Sequence, residues 1–290
     1  MSQRKVRLTG VMGSLCFIMP DSADDWIIAI ASRWPSGTMH PMRAIFIASI
    51  LCSCVALGAQ PEAREWTAPN GTVIKYRWSA PATPEPGKTY PLVLFLHGAG
   101  ERGNDNIAQI KHGVMPILEG AEKLKQPCFL IAPQCPSDKS WAPINHQSMR
   151  LKEADQPNPL LDAVLALIDD ISKKQPVDVK RFYVTGLSMG GFGTWDLLSR
   201  VPGRIAAAVP ICGGGDPAQA AKFKDVPIHA FHGEADPVVP VRSTKEMISA
   251  VEKAGGKPTA TYYPGVQHDS WTQTYNNPEL LRWLFDQHQK

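Results

Sequence analysis

Arg181-Phe182-Tyr183-Val184-Thr185, followed at once by Gly186-Leu187-Ser188-Met189-Gly190, is the stretch from which the fold is read. The first five residues are rich in aromatic and β-branched side chains, which reads as a buried strand. The next five set a serine between glycines at −2 and +2, which reads as a sharp turn from strand into helix. The serine of such a turn sits in a strained backbone conformation, and side chains two residues to either side would collide. The turn lifts the hydroxyl above the sheet edge, where a histidine can reach it. Taken alone, the pentapeptide also fits a helix start with a capping serine. The rest of the chain tells the two apart.

A serine hydroxyl is a weak nucleophile at neutral pH. It needs a histidine to take its proton and an acid to orient that histidine. Both follow here, each after a strand. Pro227–Phe231 leads to His232-Gly233-Glu234-Ala235-Asp236-Pro237-Val238-Val239-Pro240, and Thr259–Tyr263 leads to Pro264-Gly265-Val266-Gln267-His268-Asp269. Ser188, Asp236 and His268 are thus the candidate catalytic residues, 48 and 32 residues apart. Those separations leave room for one or two crossover units. Asp236 has rivals in Glu234 and in Asp216, which reads better as a helix cap. No other histidine lies between Asp236 and the closing helix, which favours His268.

An acyl-transfer intermediate needs donors where its oxyanion forms. The backbone N–H of Met189 is one candidate. The other is the N–H of Ala99 or Gly100, in the small-residue turn His97-Gly98-Ala99-Gly100 after the strand Pro91–Leu96. His97 reads as a brace of this turn. Glu101 either braces the same loop or meets polar substrate.

Strand and helix signals alternate along residues 60–290, which predicts an α/β fold with a mostly parallel central sheet and helices on both faces. Further strands are expected at Thr72–Trp78, Phe129–Ala132 and Ile205–Ile211. Asn158-Pro159 starts a helix, Val241–Lys253 forms another, and Asn277 caps a closing helix at Pro278–Gln287. Residues 60–290 read as one catalytic domain without repeats. The long polar connection Pro133–Pro157 carries Trp141 and is a candidate substrate wall. Trp271, three residues after His268, is a second candidate for a pocket contact, and Trp195 is expected to pack behind the elbow helix.

Composition excludes little but is useful. Of 290 residues, 43% are hydrophobic and 20% charged, an ordinary globular balance. The net charge of +3 divides into +2 on residues 1–59 and +1 on the remainder. A nearly neutral body gives no reason to expect nucleic acid or an anionic membrane as partner. Residues 1–59 read as a leader. Met42-Arg43 precede an uncharged run, Ala44–Ala59, that ends in small residues, the pattern of a signal peptide at about 42–59. Its position implies that translation starts at Met39 or Met42. The protein is then secreted or periplasmic, with no stable membrane partner after cleavage. The alternatives are a membrane anchor, for which the run is short, or a lipid anchor on Cys54. Of the body cysteines, Cys128, Cys135 and Cys212, at most one pair can form an internal disulfide, and three thiols are equally compatible. No metal-binding spacing occurs, and no cofactor is expected.

Leu96-His97-Gly98-Ala99-Gly100-Glu101-Arg102-Gly103, Ala132-Pro133-Gln134-Cys135-Pro136, Gly186-Leu187-Ser188-Met189-Gly190-Gly191, His232-Gly233-Glu234-Ala235-Asp236 and His268-Asp269-Ser270-Trp271 occur in this order. Together they resemble exported bacterial α/β-hydrolases, the predicted peptidases and phospholipase/carboxylesterases that look like dienelactone hydrolases. The motifs are similar to those of feruloyl and acetylxylan esterases. The resemblance spans about residues 65–290. It implies the α/β-hydrolase fold, a Ser188–His268–Asp236 triad, and an ester substrate that is a small molecule or a polysaccharide. Cleavage of short peptides is the alternative activity. A non-catalytic binding protein would have no need of the strained serine.

Overall fold

The computed structural model describes residues 5–8, 15–18, 60–151 and 157–289. The signal-like stretch 42–59 and Cys54 lie outside the described residues. Near the start of the chain, β1 (Lys5–Leu8) and β2 (Leu15–Ile18) pair antiparallel. Gly58–Lys290 forms a separate compact unit, and the following description concerns it alone.

Its centre is an eight-stranded sheet. The strands are β3 (Glu62–Thr67), β4 (Val73–Ser79), β5 (Tyr90–Leu96), β6 (Phe129–Pro133), β9 (Val177–Leu187), β10 (Ala207–Ile211), β11 (His229–Gly233) and β12 (Thr259–Tyr263). Their order across the sheet is β12-β11-β10-β9-β5-β6-β4-β3. From β12 to β6 every neighbour is parallel, whereas β4 and β3 run antiparallel at one edge. A small hairpin, β7 (Ile144–Asn145) with β8 (Arg150–Leu151), stands apart in the long connection after β6.

The two faces of the sheet can be read from alternate residues. Leu92, Leu94 and Leu96 of β5 enter one apolar cluster, and Val93 and Phe95 enter the other. Against the first face pack α2 (Pro159–Lys174), α3 (Met189–Arg200) and α4 (Arg242–Lys253), through side chains such as Leu161, Trp195 and Met247. Against the second pack α1 (Val114–Lys123), α5 (Trp271–Tyr275) and α6 (Pro278–Phe285), through Ile117, Tyr275 and Leu281. Strands covered on both faces must be apolar throughout, and all seven residues of β5 are buried.

Two differences from the sequence reading have simple causes. The edge strand β3 carries Glu62, Arg64 and Glu65, which hide its strand character; charge on an edge strand discourages pairing with another chain. Strand β9 begins at Val177 because Val177 already pairs with Tyr90, although Asp178, Lys180 and Arg181 give that end a loop-like composition. The expected caps are present. The side-chain oxygens of Asn158, Asp216 and Asn277 accept the N–H groups of Leu161, Ala218 and Glu279. Each cap is followed by proline in the first turn.

Candidate active site

Ser188 stands between the end of β9 and the start of α3, with φ 52° and ψ −117°. This is a left-handed conformation that a serine adopts only under constraint. The constraint is backbone contact. A Cβ at Gly190 would lie 1.9 Å from the Leu96 carbonyl oxygen, so only glycine lets the first turn of α3 rest on the end of β5. The Ser188 N–H donates to the Ile211 carbonyl at 3.0 Å and approaches Cys212 Sγ at 3.3 Å, which ties the turn to β10 as well.

The other two groups come from the carboxyl ends of the next strands. His268 lies in the turn after β12 and Asp236 in the turn after β11. A Cβ at Gly233 would lie 2.2 Å from the Gln267 carbonyl oxygen, so the two turns touch backbone to backbone. His268 Nε2 is 2.9 Å from Ser188 Oγ, and His268 Nδ1 is 2.7 Å from Asp236 Oδ2. Asp236 Oδ1 accepts the N–H groups of Val238 and Val239 at 2.8 and 2.9 Å. Burial alone would push the Asp236 carboxyl up. Hydrogen bonds from His232, His268, Val239 and Val238 outweigh it and hold the group well below the usual carboxylate range. Asp236 therefore carries a fixed negative charge toward Nδ1 of His268, which keeps the proton there and leaves Nε2 free to accept from the serine.

The rivals do other work. Asp216 caps its helix and Glu234 pairs with Lys245 at 3.7 Å, while Asp269, beside His268, accepts the Thr272 N–H at 3.0 Å.

The turn after β5 adjoins the elbow. Gly98 abuts Leu187, the residue before the serine, because a Cβ there would stand 2.8 Å from Leu187 Cδ1. Ala99 begins a short 3₁₀ turn, Ala99–Glu101, and Met189 begins α3. The first N–H groups of a helical turn have no partner within it. Ala99 and Gly100 are exposed. His97 holds this turn from below. Its Nδ1 faces the Gly98 carbonyl at 2.6 Å and therefore bears the hydrogen, while Nε2 accepts the Cys135 N–H at 2.9 Å. Burial pushes the His97 imidazole down to about 4, against the opposing effect of the Gly98 bond, so the ring is neutral.

Trp141 departs from expectation. It does not line a pocket. It is fully buried, its Nε1–H donates to the His97 carbonyl at 3.0 Å, and its ring meets the His97 ring edge-on at 5.2 Å. A large apolar ring with one donor gains most where both are satisfied, and the strand end offers that place. The Asn158 side chain extends the brace by donating to the Trp141 carbonyl at 2.7 Å and to Asp196 of α3 at 3.2 Å. Trp271 does reach the site, with its ring edge-on to His268 at 5.3 Å and tilted against His112 at 5.6 Å. Glu101 is buried, with His112 Nε2 at 3.7 Å from its carboxylate. Trp195 is buried behind α3 against Phe223.

Among the described residues, Cys212, Asp236 and His268 form a group of metal-type ligands, their donor atoms within 4.8 Å of one another. Burial pushes the Cys212 thiol up, so the sulfur stays protonated, and the other two side chains already bind each other. Cys128, Cys135 and Cys212 are all free buried thiols.

Comparison with known proteins agrees with this architecture. A crystal structure of a thermostable esterase superposes with a TM-score of 0.73 at 40% identity, over 79% of this chain and 63% of that one. The bifunctional acetylxylan esterase/xylanase XynS20E of Neocallimastix patriciarum is 39% identical over 77 residues, 26% of this chain and 11% of that protein. The chain thus spans about a tenth of that relative and under two thirds of the esterase. A mutant of the feruloyl esterase module from Clostridium thermocellum, complexed with sinapinate, shares the fold at 17% identity, with a TM-score of 0.57 over 78% of this chain and 87% of that one. The sheet order, the helices on both faces and these likenesses define an α/β-hydrolase fold. With a family model matching residues 133–279, half of its length, the chain belongs to the dienelactone hydrolase family.

Proposed function

We propose that this protein is an exported serine esterase that removes acyl groups from polysaccharides or their fragments. The observation that carries the proposal is the continuous hydrogen-bonded line from Ser188 Oγ through His268 to Asp236. Family membership and the esterase likeness support ester chemistry. The signal-like residues 42–59 support export.

As Ser188 Oγ attacks the ester carbonyl carbon, its proton passes to His268 Nε2. The carbonyl π electrons move to oxygen, where the N–H groups of Met189 and of Ala99 or Gly100 receive the charge. The tetrahedral intermediate collapses, the bond to the alcohol oxygen breaks, and His268 gives that oxygen the proton. Water then attacks the acyl-serine, His268 takes its proton, and the acid leaves as Ser188 regains a hydrogen. Asp236 remains a carboxylate throughout and stabilises the transient imidazolium. Trp271 walls the site beside His268, and the buried Glu101, paired with His112, braces the turn that carries Ala99 and Gly100.

The test is hydrolysis of p-nitrophenyl acetate and of acetylated or feruloylated xylan fragments at neutral pH, with Ser188→Ala as blank. Loss of at least about 1000-fold in kcat in the variant is expected. Turnover unchanged by the substitution would overturn the mechanism, and turnover of the aryl ester alone would overturn the polysaccharide assignment.

A further inference from the structure

His232 is a fully buried histidine that the mechanism above does not use. It is the penultimate residue of β11, four residues before Asp236. Its Nε2 lies 2.8 Å from the Val239 carbonyl and 3.2 Å from Asp236 Oδ2. Both are oxygens with nothing to donate, so Nε2 carries the hydrogen. Its Nδ1 lies 2.7 Å from Thr244 Oγ1, on α4, and that hydroxyl lies 2.8 Å from the Gly213 carbonyl. Gly213 in turn rests on the elbow helix, since a Cβ there would stand 2.5 Å from the Gly191 carbonyl carbon. One ring therefore spans three parts of the site: the acid, the turn that carries it, and the segment behind the nucleophile.

We infer that His232 is a positioning residue that fixes the Asp236 carboxylate for His268. Asp236 Oδ1 is held by two backbone N–H groups, so a rotation of the carboxylate is resisted from that side alone unless Oδ2 is also held. On Oδ2 the bond to His268 must survive a full catalytic cycle in which His268 gains and loses a proton. A second N–H beside Oδ2 keeps that oxygen charged and in place while the partner changes state. The Nε2 contact with the Val239 carbonyl pins the same turn whose N–H groups bind Oδ1, so both oxygens depend on one imidazole. This inference rests on the serine esterase reading of the site.

The test compares His232→Leu, which keeps bulk without a donor, with His232→Gln, whose side-chain N–H reaches near the place of Nε2. Active sites are counted by fluorophosphonate labelling of Ser188 carried to completion, and kcat is expressed per labelled site with p-nitrophenyl acetate as substrate. A misplacement of the acid lowers kcat by about 10- to 100-fold with KM within about 2-fold, and the glutamine variant regains most of the loss. A leucine variant with wild-type kcat per labelled site, or an equal fall in both variants, overturns the inference. Ser188→Ala, with its turnover expressed per mole of folded protein, keeps the two questions separate. If it retains full turnover, the esterase reading fails. If it is inactive while the leucine variant turns over normally, only the role of His232 fails.

Discussion

Ser188→Gly should make the protein more stable than Ser188→Ala while leaving both inactive. The two substitutions remove the same hydroxyl, and with it the 2.9 Å contact to His268. They differ in the backbone. At φ 52° and ψ −117°, alanine keeps the strain of the native turn, whereas glycine tolerates the conformation. A residue held in such a region costs about 1–3 kcal/mol. Glycine gives back about 0.4–1 kcal/mol through the greater freedom of the unfolded chain. The difference is about 1 kcal/mol in favour of glycine. For a domain of this size that corresponds to a melting temperature about 2–4 °C higher. Differential scanning calorimetry on both variants reads the difference directly. If the glycine variant melts at or below the alanine variant, the turn is not strained and the constraint from Gly190 and β5 has been misread.

Two further outcomes follow from burial. His97 is held neutral, with its imidazole lowered from 6.5 to about 4. The unfolded chain binds a proton there below about 6.5 and the folded one does not, so this contribution to stability is full at neutral pH and is lost as pH falls toward 4. Between pH 7 and 5 the loss is about 2 kcal/mol. Burial lowers His229 too, which adds in the same direction. Urea unfolding at both pH values should show a smaller loss in His97→Gln than in the wild type, and equal losses would refute the assignment. Burial pushes the Cys128 and Cys135 thiols up to about 12 and Cys212 further still. Iodoacetamide at pH 8 should therefore leave these three thiols unlabelled in the native protein and label all three after denaturation. Rapid native labelling of Cys212 would contradict the buried site.

The elbow was legible because local chemistry and global geometry demand the same residues there. Gly186, Ser188 and Gly190 are required by the turn itself, whatever surrounds it. Asp236 and His268 were legible because parallel strands deliver successive turns to one edge, so chain order predicts spatial order. The brace beneath the site was not. Trp141 lies in a polar connection, and its burial depends on the His97 carbonyl, which no neighbour in sequence reveals. The same holds for Asn158, visible as a cap through Leu161 but not as a donor to Trp141 and Asp196. His232 carried one faint signal, a histidine just before Gly233 at a strand end, where an inward-facing ring must find partners. His112 carried none, since it joins Trp271 and Glu101 only through the tertiary fold.

The backbone-to-backbone seams at Gly190 and Gly233 have a practical consequence for directed evolution. They separate positions that tolerate randomisation from positions that do not. Ala99 and Gly100 face solvent, and a Cβ at Gly100 would meet nothing within 4 Å. A combinatorial library over the rim, including Arg102, His112 and Trp271, can explore acyl and alcohol preference while the seams keep the nucleophile in register. Any codon set that opens Gly190 or Gly233 instead spends its diversity on chains that cannot close the site.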